Sequence, residues 1–400
     1  MLSHYAGAPQ YGMEYRSYYM SREWVKSGHK VMIAGASFSH LRKQQPPVGR
    51  ENIDGIEYVW LKTRSYEGNG VARVLTMVEF VKECYSNKKL FIDFKPDVVI
   101  ASSVYTFDIY PAHYIAKKCG AKLIYEVHDL WPLSPMVIGG YSKYHPFIWL
   151  LQRGENYAYR HVDMVVSMLW NSFSHMRNHG LDAKRFACVP NGYCPDDWTK
   201  EYREKQLPDI FQRKLEAVGD KIVIGFIGGF APSGALGNLI ETAAIMKNDQ
   251  RLHFVLVGAG VEGKKLENLI EQFGLTNVSI LPPIAKCLVP SMVAKFDVGY
   301  YGGVRSSLHQ YGTSANKMTD YMLSAIPIVQ AIDEPGSIVE KTGCGLRVDA
   351  ENPKLCADAI AKLANMSRDE RKAMGMRGYK YATENLQWKS LADRFIKILS

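Results

Sequence analysis

The feature that most constrains the fold is an alternation of short apolar runs with helical runs, which occurs twice along the chain. In the first half the runs that indicate β-strands are 30–36, 97–102, 122–127 and 163–167, and in the second half they are 221–228, 252–258, 278–281, 297–301 and 326–330. Continuous apolar strands separated by helices are typical of parallel sheets covered on both faces. We therefore predict an α/β protein with two doubly wound, Rossmann-like domains.

The length of 400 residues suits two domains, and their boundary is expected in a segment dense in Pro, Gly, Asp and charge. That segment reads VPNGYCPDDWTKEYREKQLPD. We place the first domain at 1–195, the second at 196–383, and a C-terminal helix at 384–400 that packs back on the first domain. Helices are expected at 13–27 and 107–118, and a hairpin is expected with its turn at Asp54-Gly55.

The composition excludes several classes of protein. No apolar run approaches the roughly 20 residues that a membrane span requires, and no signal-peptide pattern opens the chain. The seven cysteines include no C-x-x-C, which fits reduced thiols and a cytoplasmic location. The net charge of +9 fits either a solvated basic surface or a basic domain that faces anionic lipid or a diphosphate-bearing partner. No motif indicates a nucleic-acid partner.

The segment HQYGTSANKMTDYMLSAIPIV contains a short polar stretch, TSANK, directly before a predicted helix, where a ligand would bind. Ser314 is the expected N-cap of the helix that follows. The amides near Ala315 and Asn316, aided by the helix dipole, would hold a diphosphate, and Lys317 could add a side-chain contact. Asp320, one turn on, could accept hydrogen bonds from two ribose hydroxyls. The alternative is an ordinary capped helix, but the return to a buried strand directs the polar face into a cleft.

Other candidates stand singly at strand ends and turns. Gly12 precedes a helix and would let the backbone approach a phosphate or sugar closely, unless it is a simple turn glycine. Arg16, one turn into that helix, faces either the cleft or the solvent. His128 follows strand 122–127, with Asp129 in the adjoining loop, and either has a structural role or contacts a sugar hydroxyl or charge at the anomeric carbon. Arg305 follows two glycines and suits a bidentate diphosphate contact.

These segments, taken in order, resemble the retaining glycosyltransferases of family 4, which have the GT-B fold. The matching segments are YGMEYRSYYMSREWVKSGHKV, YEVHDLWP, VPNGY, VLVGAGVEGKKLE and SANKMTDYMLSAIPIV. GMEYR, HDLWP and SANK are most similar to bacterial O-antigen and capsule enzymes, including N-acetylfucosaminyl transferases. The resemblance implies an acceptor-side first domain and a nucleotide-sugar-binding second domain facing each other across a cleft. It implies transfer of a hexose or N-acetylhexosamine, from UDP rather than GDP, to a polyprenyl-diphosphate-linked saccharide in surface-polysaccharide assembly.

The resemblance also implies roles for particular residues. The expected catalytic residues are His128, Arg305 and Lys317. The expected donor-binding residues are Gly12, Gly228, Gly229, Gly258, Ile284, Ser314, Ala315, Asn316 and Asp320. The sequence departs from the family at two places. No basic residue occurs in GGFAPSGALGN, where the family commonly has an Arg and a Lys, and Gly312 stands where the family often has the first of two acids.

We expect no metal and no other cofactor, because the chain has neither H-E-x-x-H nor a D-x-D beside a strand end. Helix amides and cations would then meet the charge on the leaving diphosphate. Retention is expected by front-face attack, since Asp129 is the one ready nucleophile and is as well placed to brace its loop. Two segments, 144–160 and 71–95, are either core helices with a solvated face or sites of peripheral contact with the inner face of an anionic membrane.

Three rival functions remain. A dehydrogenase would use G-x-G-x-x-G at 258–263, but the next strand ends in two prolines where a ribose-binding acid is needed. A non-hydrolysing sugar-nucleotide epimerase would need carboxylates in the cleft, and none occurs between Asp297 and Asp320. A non-catalytic sugar-nucleotide-binding subunit would explain the missing basic pair.

Overall fold

The computed structural model describes residues 1–12, 16–68 and 70–399. The chain forms two compact units. The first consists of Met1–Asn191, Tyr311–Thr313 and Trp388–Ser400, and the second of Gly192–Gln310 and Ser314–Gln387.

The first unit is a parallel sheet with one antiparallel strand and helices on its faces. Its strands are β1 (Met32–Ala36), β2 (Gly49–Ile53), β3 (Ile56–Leu61), β4 (Val98–Ala101), β5 (Lys122–Val127), β6 (Met164–Ser167) and β7 (Phe186–Cys188). Its helices up to the second unit are α1 (Arg16–Lys26), α2 (Val71–Ser86), α3 (Lys88–Asp93), α4 (Ile109–Cys119), α5 (Leu133–Gly139), α6 (Pro146–His161) and α7 (Phe173–Asn178).

The strand order of this sheet is β2-β3-β1 on one side and β4-β5-β6-β7 on the other. Residues 1–4 run between β1 and β4 and join the two parts, with Leu2 bridging Ala34 and Ala101. Strands β2 and β3 form the predicted hairpin, whose turn is Asp54-Gly55.

The second unit is a parallel sheet in the order β10-β9-β8-β11-β12-β13. Its strands are β8 (Ile222–Ile227), β9 (Leu252–Val257), β10 (Val278–Leu281), β11 (Val298–Gly302), β12 (Ile328–Ala331) and β13 (Gly345–Val348). Its helices are α8 (Lys200–Glu204), α9 (Asp209–Val218), α10 (Leu236–Ile245), α11 (Gly263–Gln272), α12 (Val289–Val293), α13 (Asn316–Leu323), α14 (Ile338–Thr342), α15 (Pro353–Ala364) and α16 (Arg368–Asn385).

The last helix, α17 (Trp388–Leu399), belongs to the first unit and packs on α1. Trp388 stacks on Tyr19 with ring centroids 5.6 Å apart, and the Trp24 indole donates to the Ala392 carbonyl at 3.2 Å. No helix among the described residues is both long and apolar enough to cross a bilayer.

The two predicted α/β sheets are therefore confirmed, and the deviations are local. The helix expected from residue 13 has its first three positions outside the described residues, and α1 is described from Arg16. The helical run expected over 71–95 is two helices, α2 and α3, which meet at Asn87. The helix expected from residue 107 begins at Ile109.

Candidate active site

The expected site residues fall into two groups, one in each unit. In the first unit, His128 directly follows β5, at the edge of the sheet where ligands of such folds bind. Its Nε2 lies 2.9 Å from the Ser102 hydroxyl oxygen and 3.2 Å from Oε2 of Glu126. Because Ser102 and Glu126 are buried at the ends of adjacent strands, the imidazole is held in one orientation.

The direction of these hydrogen bonds assigns the tautomer of His128. The Ser102 hydroxyl donates to Oε2 of Glu126 at 2.5 Å, so its oxygen is left to accept a proton from His128 Nε2. In the neutral ring Nδ1 is then the nitrogen with the lone pair. An imidazole anchored through Nε2 in this way can accept a hydrogen bond from a substrate hydroxyl through Nδ1.

Arg16 is buried and paired, so the interpretation in which it faces the solvent is wrong. Its Nε and Nη2 donate to Oε1 of Glu126 at 3.1 and 3.0 Å. Nη1 and Nη2 also donate to the carbonyls of Pro190 and Val189 at 2.8 and 2.9 Å. Burial alone would raise the pKa of Glu126, but Arg16, His128 and Ser102 hold it below its usual range. Glu126 therefore stays ionised beneath the histidine.

Glu126 is the functional candidate that the sequence interpretation missed. A carboxylate inside the strand KLIYEV, two residues before His128, shares that residue's face of the sheet because side chains alternate along a strand. This spacing was the available signal.

Asp129 braces its loop. Its Oδ1 accepts hydrogen bonds from the Leu130 amide at 2.9 Å and from the Ser134 hydroxyl at 2.6 Å. These contacts support the interpretation of Asp129 as a brace of its loop rather than as a nucleophile. Gly12 closes a short helical turn with φ of 81°, so its backbone conformation itself favours glycine.

In the second unit, Lys317 and Gly228 lie together at the carboxyl end of β8. The Lys317 ammonium nitrogen is 4.1 Å from the centroid of the Phe226 ring, and a Cβ on Gly228 would lie 2.9 Å from it. Gly228 has φ of 141°, which also favours glycine. The loop after β8 has no basic residue of its own, and Lys317 from α13 places a cation there instead.

Asp320 lies one turn along α13 from Lys317 and interacts with it electrostatically. Burial raises the pKa of the Asp320 carboxyl to about 7, although Lys286 and Lys317 oppose the shift. Burial lowers the pKa of Lys317 to about 8, against the attraction of Asp320. Lys286, which also pairs with Asp197 at 3.3 Å, was not among the predicted residues. Three titratable groups thus converge around the start of α13.

The predicted N-cap of this helix is wrong. Ala315 is the N-cap residue, with extended backbone and no side-chain cap, and Ser314 precedes it. An N-cap at Ser314 would start the helix at Ala315, but Ala315 has an extended backbone and the helix starts at Asn316. Asn316, the first helical residue, is exposed. Ala315 itself offers no capping side chain, which suits an anion at the start of α13.

Two glycines of the G-x-G-x-x-G segment, Gly258 and Gly260, have packing roles. A Cβ on Gly258 would lie 1.9 Å from the Gly228 carbonyl oxygen, and one on Gly260 would lie 2.4 Å from the Phe230 carbonyl oxygen. This part of the G-x-G-x-x-G match is therefore explained by the close approach of two loops. Gly229 is exposed with open space around its Cα, and Ile284 is half-buried against the core.

Arg305 lies apart from the Lys317 group in its observed contacts. Its amide donates to Glu351 at 2.8 Å, its Nη2 donates to the Ala350 carbonyl at 3.1 Å, and its Nε is 3.8 Å from Asp333. The side chain is 64% exposed. The diphosphate role of Arg305 stays a prediction.

Gly312 has a physical reason for lacking a side chain. Its φ is 96°, and a Cβ there would lie 2.5 Å from the Trp170 ring in the same unit. The indole thus occupies the space into which the family's first acid would extend.

One group of potential metal ligands occurs among the described residues, namely Glu155, His175 and His179. The two histidines form an H-x-x-x-H on α7 and its cap, a pattern that the sequence interpretation overlooked. The group is already hydrogen-bonded: His175 Nε2 lies 2.8 Å from Glu155, which also accepts from Tyr159 at 2.9 Å and from Gln152 at 2.6 Å.

Two family models match the chain. The model described as "Glycosyl transferase 4-like domain" matches residues 11–192, and the model described as "Glycosyl transferases group 1" matches residues 221–366. The first therefore falls on the first unit and the second on the second unit, and together they cover most of the chain.

A curated relative is the putative colanic acid biosynthesis glycosyl transferase WcaI of Escherichia coli (strain K12). It is 23% identical over 209 residues, which are 51% of this chain and 50% of the relative. The match thus spans about half the length of each protein.

Solved structures share the fold along the whole chain. HepE of Anabaena, in complex with UDP and glucose, superposes with a TM-score of 0.67 at 14% identity, covering 100% of this chain and 98% of that chain. WaaG, a glycosyltransferase involved in lipopolysaccharide biosynthesis, superposes with a TM-score of 0.69 at 13% identity, covering 100% and 98%. At these identities the likeness shows the fold alone.

Proposed function

The chain belongs to the GT-B glycosyltransferases, with a glycosyl transferase 4-like domain followed by a glycosyl transferases group 1 domain, and we propose that it is a retaining, metal-independent enzyme of surface-polysaccharide assembly. It transfers a hexose or N-acetylhexosamine from a UDP-sugar to a polyprenyl-diphosphate-linked saccharide. The observation that carries the proposal is the group formed by Lys317, Asp320 and Gly228 at the carboxyl end of β8.

The second unit binds the nucleotide in this proposal. The uncapped amides of α13 and the Lys317 ammonium meet the diphosphate, and Gly228 lets the backbone approach it. Asp320 accepts hydrogen bonds from the ribose hydroxyls. Anion binding beside Lys317 also compensates the buried ammonium, whose pKa of about 8 reflects its desolvation.

The leaving group needs no metal in this scheme. Negative charge grows on the diphosphate as the bond to the sugar breaks, and fixed amides and a desolvated cation stabilise it more in the transition state than in the ground state. Arg305 adds a second cation by moving from its contacts with Ala350 and Asp333, which its exposed side chain permits.

The first unit contributes His128 and binds the acceptor in this proposal. The acceptor hydroxyl attacks on the face that the leaving group departs from, and the departing diphosphate oxygen takes its proton. His128, fixed through Nε2 by Ser102 and Glu126, contacts the sugar with its other edge while positive charge develops at the anomeric carbon. Glu126 is a positioning residue in this scheme.

An exposed apolar patch supports a lipid-linked acceptor and peripheral binding at the inner face of the cytoplasmic membrane. The patch lies on α5, the loop after it and the start of α6. It consists of Ile138, Tyr144, Trp149 and Leu150, with exposed fractions of 65%, 82%, 57% and 47%. Lys143 and Arg153 stack on Tyr144 and Trp149. Aromatic rings flanked by cations are typical of surfaces that bind at a lipid headgroup layer.

The transferase proposal is tested by incubating the purified protein with a panel of sugar nucleotides and short polyprenyl-diphosphate saccharides, with and without a chelator. We expect a product of retained configuration by NMR and turnover that the chelator leaves unchanged. Asp320→Asn should weaken UDP binding by about tenfold, since hydrogen bonds to a charged acceptor are strong. Inverted product, chelator-sensitive turnover or unchanged UDP affinity would each contradict the corresponding part.

Membrane binding is tested by flotation with anionic liposomes at low salt. Wild-type protein should float, and Trp149→Ser with Leu150→Ser should not. The matched control is the pair Val261→Ser and Ile245→Ser, which removes exposed apolar side chains from the second unit. Equal flotation of both variants would rule out the patch.

A further inference from the structure

A basic side chain, Arg42, is buried in the first unit, in the loop after β1. Arg42 is 5% exposed; its Nη2 donates to the Ala36 carbonyl at 2.5 Å, and its guanidinium lies 5.1 Å from the Trp60 ring centroid. Its Nε and Nη1 are buried and have no hydrogen-bond partner among the described residues. A buried guanidinium with two unpaired nitrogens is costly unless an anion accepts from them.

Three other basic side chains lie around one aromatic residue, Tyr5. Arg73, in the first turn of α2, donates from Nε to the Tyr5 hydroxyl at 3.3 Å. The His40 ring packs edge-on against Tyr5 with centroids 5.8 Å apart. His4 precedes Tyr5, and its Nδ1 is 2.7 Å from the Tyr105 hydroxyl, while its buried Nε2 has no partner in the described part of the chain.

Their charges act on one another. Burial lowers the pKa of His4 well below its ordinary value, and the positive charges of Arg42, Arg73 and His40 lower it further. The His4 carbonyl accepts from the Ala36 amide at 3.1 Å, which places His4 beside the carbonyl that Arg42 contacts. Because the lowered pKa values of His4 and His40 keep both rings neutral, the positive charge of these four side chains, the basic cluster, resides on Arg42 and Arg73.

The carboxylates nearby are engaged with other donors. Glu51 accepts from the Trp60 indole at 2.9 Å and from the Tyr11 hydroxyl, also at 2.9 Å. Asp108 accepts from the Ser103 amide through Oδ2 at 2.9 Å, its buried Oδ1 has no partner among the described residues, and burial raises its pKa to about 7. Arg42 thus has no carboxylate partner among the described residues, and its charge is available to an external anion.

We propose that the basic cluster binds a phosphate or diphosphate group of the acceptor. This rests on the proposed function, since it assigns the acceptor's charged group to the first unit. Guanidinium nitrogens match phosphate oxygens in pairs, and the first turn of α2, which contains Arg73, favours an anion. Val71, Leu75 and Val78 are exposed along one face of α2, at spacings of four and three residues, and would lie beside a lipid chain attached to that phosphate.

Direct binding tests the cluster without turnover. Inorganic pyrophosphate is titrated calorimetrically into the full-length protein in the presence of saturating UDP, which fills the donor site. We expect saturable binding that Arg42→Gln and Arg73→Gln each weaken by about tenfold or more. Arg50→Gln, which removes an exposed guanidinium paired with Glu57, is the matched control and should leave it unchanged. Equal binding by wild type and both cluster variants would overturn the proposal.

Kinetics separate a lipid-linked source from free phosphate. The same saccharide is supplied on a short polyprenyl diphosphate and as a neutral phenyl glycoside. Arg42→Gln should raise KM for the first by about tenfold and leave KM for the second unchanged. Equal losses on both acceptors would show a structural defect and refute the proposal.

The two proposals can fail separately. If wild type transfers no sugar to either acceptor but pyrophosphate binding still depends on Arg42, the proposed function fails and the anion site stands. If Arg42→Gln loses cooperative thermal unfolding, the less buried Arg73→Gln decides by the same binding and KM criteria.

Discussion

Lys317 bears an energetic cost in the folded protein that methionine should remove. Burial lowers the pKa of its ammonium from 10.5 to about 8, against the attraction of Asp320. This difference of about 2.5 corresponds to about 3 kcal/mol. Below pH 8 the lysine is charged in the folded and the unfolded chain alike, so the folded state bears the whole penalty. Lys317→Met keeps the apolar stem, and we expect the free energy of unfolding at pH 7 to rise by up to about 3 kcal/mol while sugar transfer is lost.

The pH dependence identifies desolvation as the cause. Between pH 8 and 10.5 the unfolded chain still binds the proton that the folded lysine has released, so wild-type stability rises with pH. The advantage of Lys317→Met, measured by urea unfolding, should therefore shrink across this window and vanish near its upper end. Lys265→Met is the control: that side chain is 64% exposed, and its loss should change stability by less than about 0.5 kcal/mol. A variant no more stable than wild type at pH 7, or an advantage independent of pH, would refute the reasoning.

Three further predictions concern the first unit. Gly312→Glu should lower the free energy of unfolding by about 2 kcal/mol or more in denaturant titrations, because its φ is unfavourable and Trp170 fills the space; an unchanged midpoint would mean that the indole moves aside. Glu126→Gln should reduce kcat by about tenfold or more and shift the His128 ring towards mixed tautomers by nitrogen NMR, whereas intact tautomer signals would deny it a positioning role. Asp129→Asn should retain measurable turnover without a glycosyl adduct by intact mass, since asparagine can accept the same two hydrogen bonds; a trapped adduct on wild-type Asp129 would replace front-face attack with double displacement.

The sheets could be predicted because buried parallel strands are continuous apolar runs, a signal contained within a few neighbouring residues. Strand β7 and strand β13 were missed because both are short and only half-buried, so their residues carry a weak pattern. The break at Asn87 was missed for a similar reason. The segments on both sides of Asn87 are helical, and the two helices are separated only by the non-helical backbone of this one residue.

The site was predictable in position more than in contacts. His128 and Lys317 could be placed from strand ends and helix starts, but their partners lie far away in sequence. Arg16 meets a carboxylate 110 residues later, and no local pattern distinguishes that pairing from a solvent-facing arginine. The approach of Lys317 to Gly228, like the packing of Trp170 on Gly312, depends on how whole segments fold together.

The sheet of the first unit contains a seam. Among the described residues, β1 and β4 connect through residues 1–4, whose amides at Leu2 and Ser3 donate to Ile100 and Ala34. This pairing consists of isolated bridges at Leu2 rather than a continuous ladder, so local opening should be easier here than within β5 or β6, and the amides along the seam should exchange with deuterium first. The seam also leads into the basic cluster through His4. An anion held there would stiffen the junction and slow that exchange, so the two halves of the sheet would open together as one cooperative element.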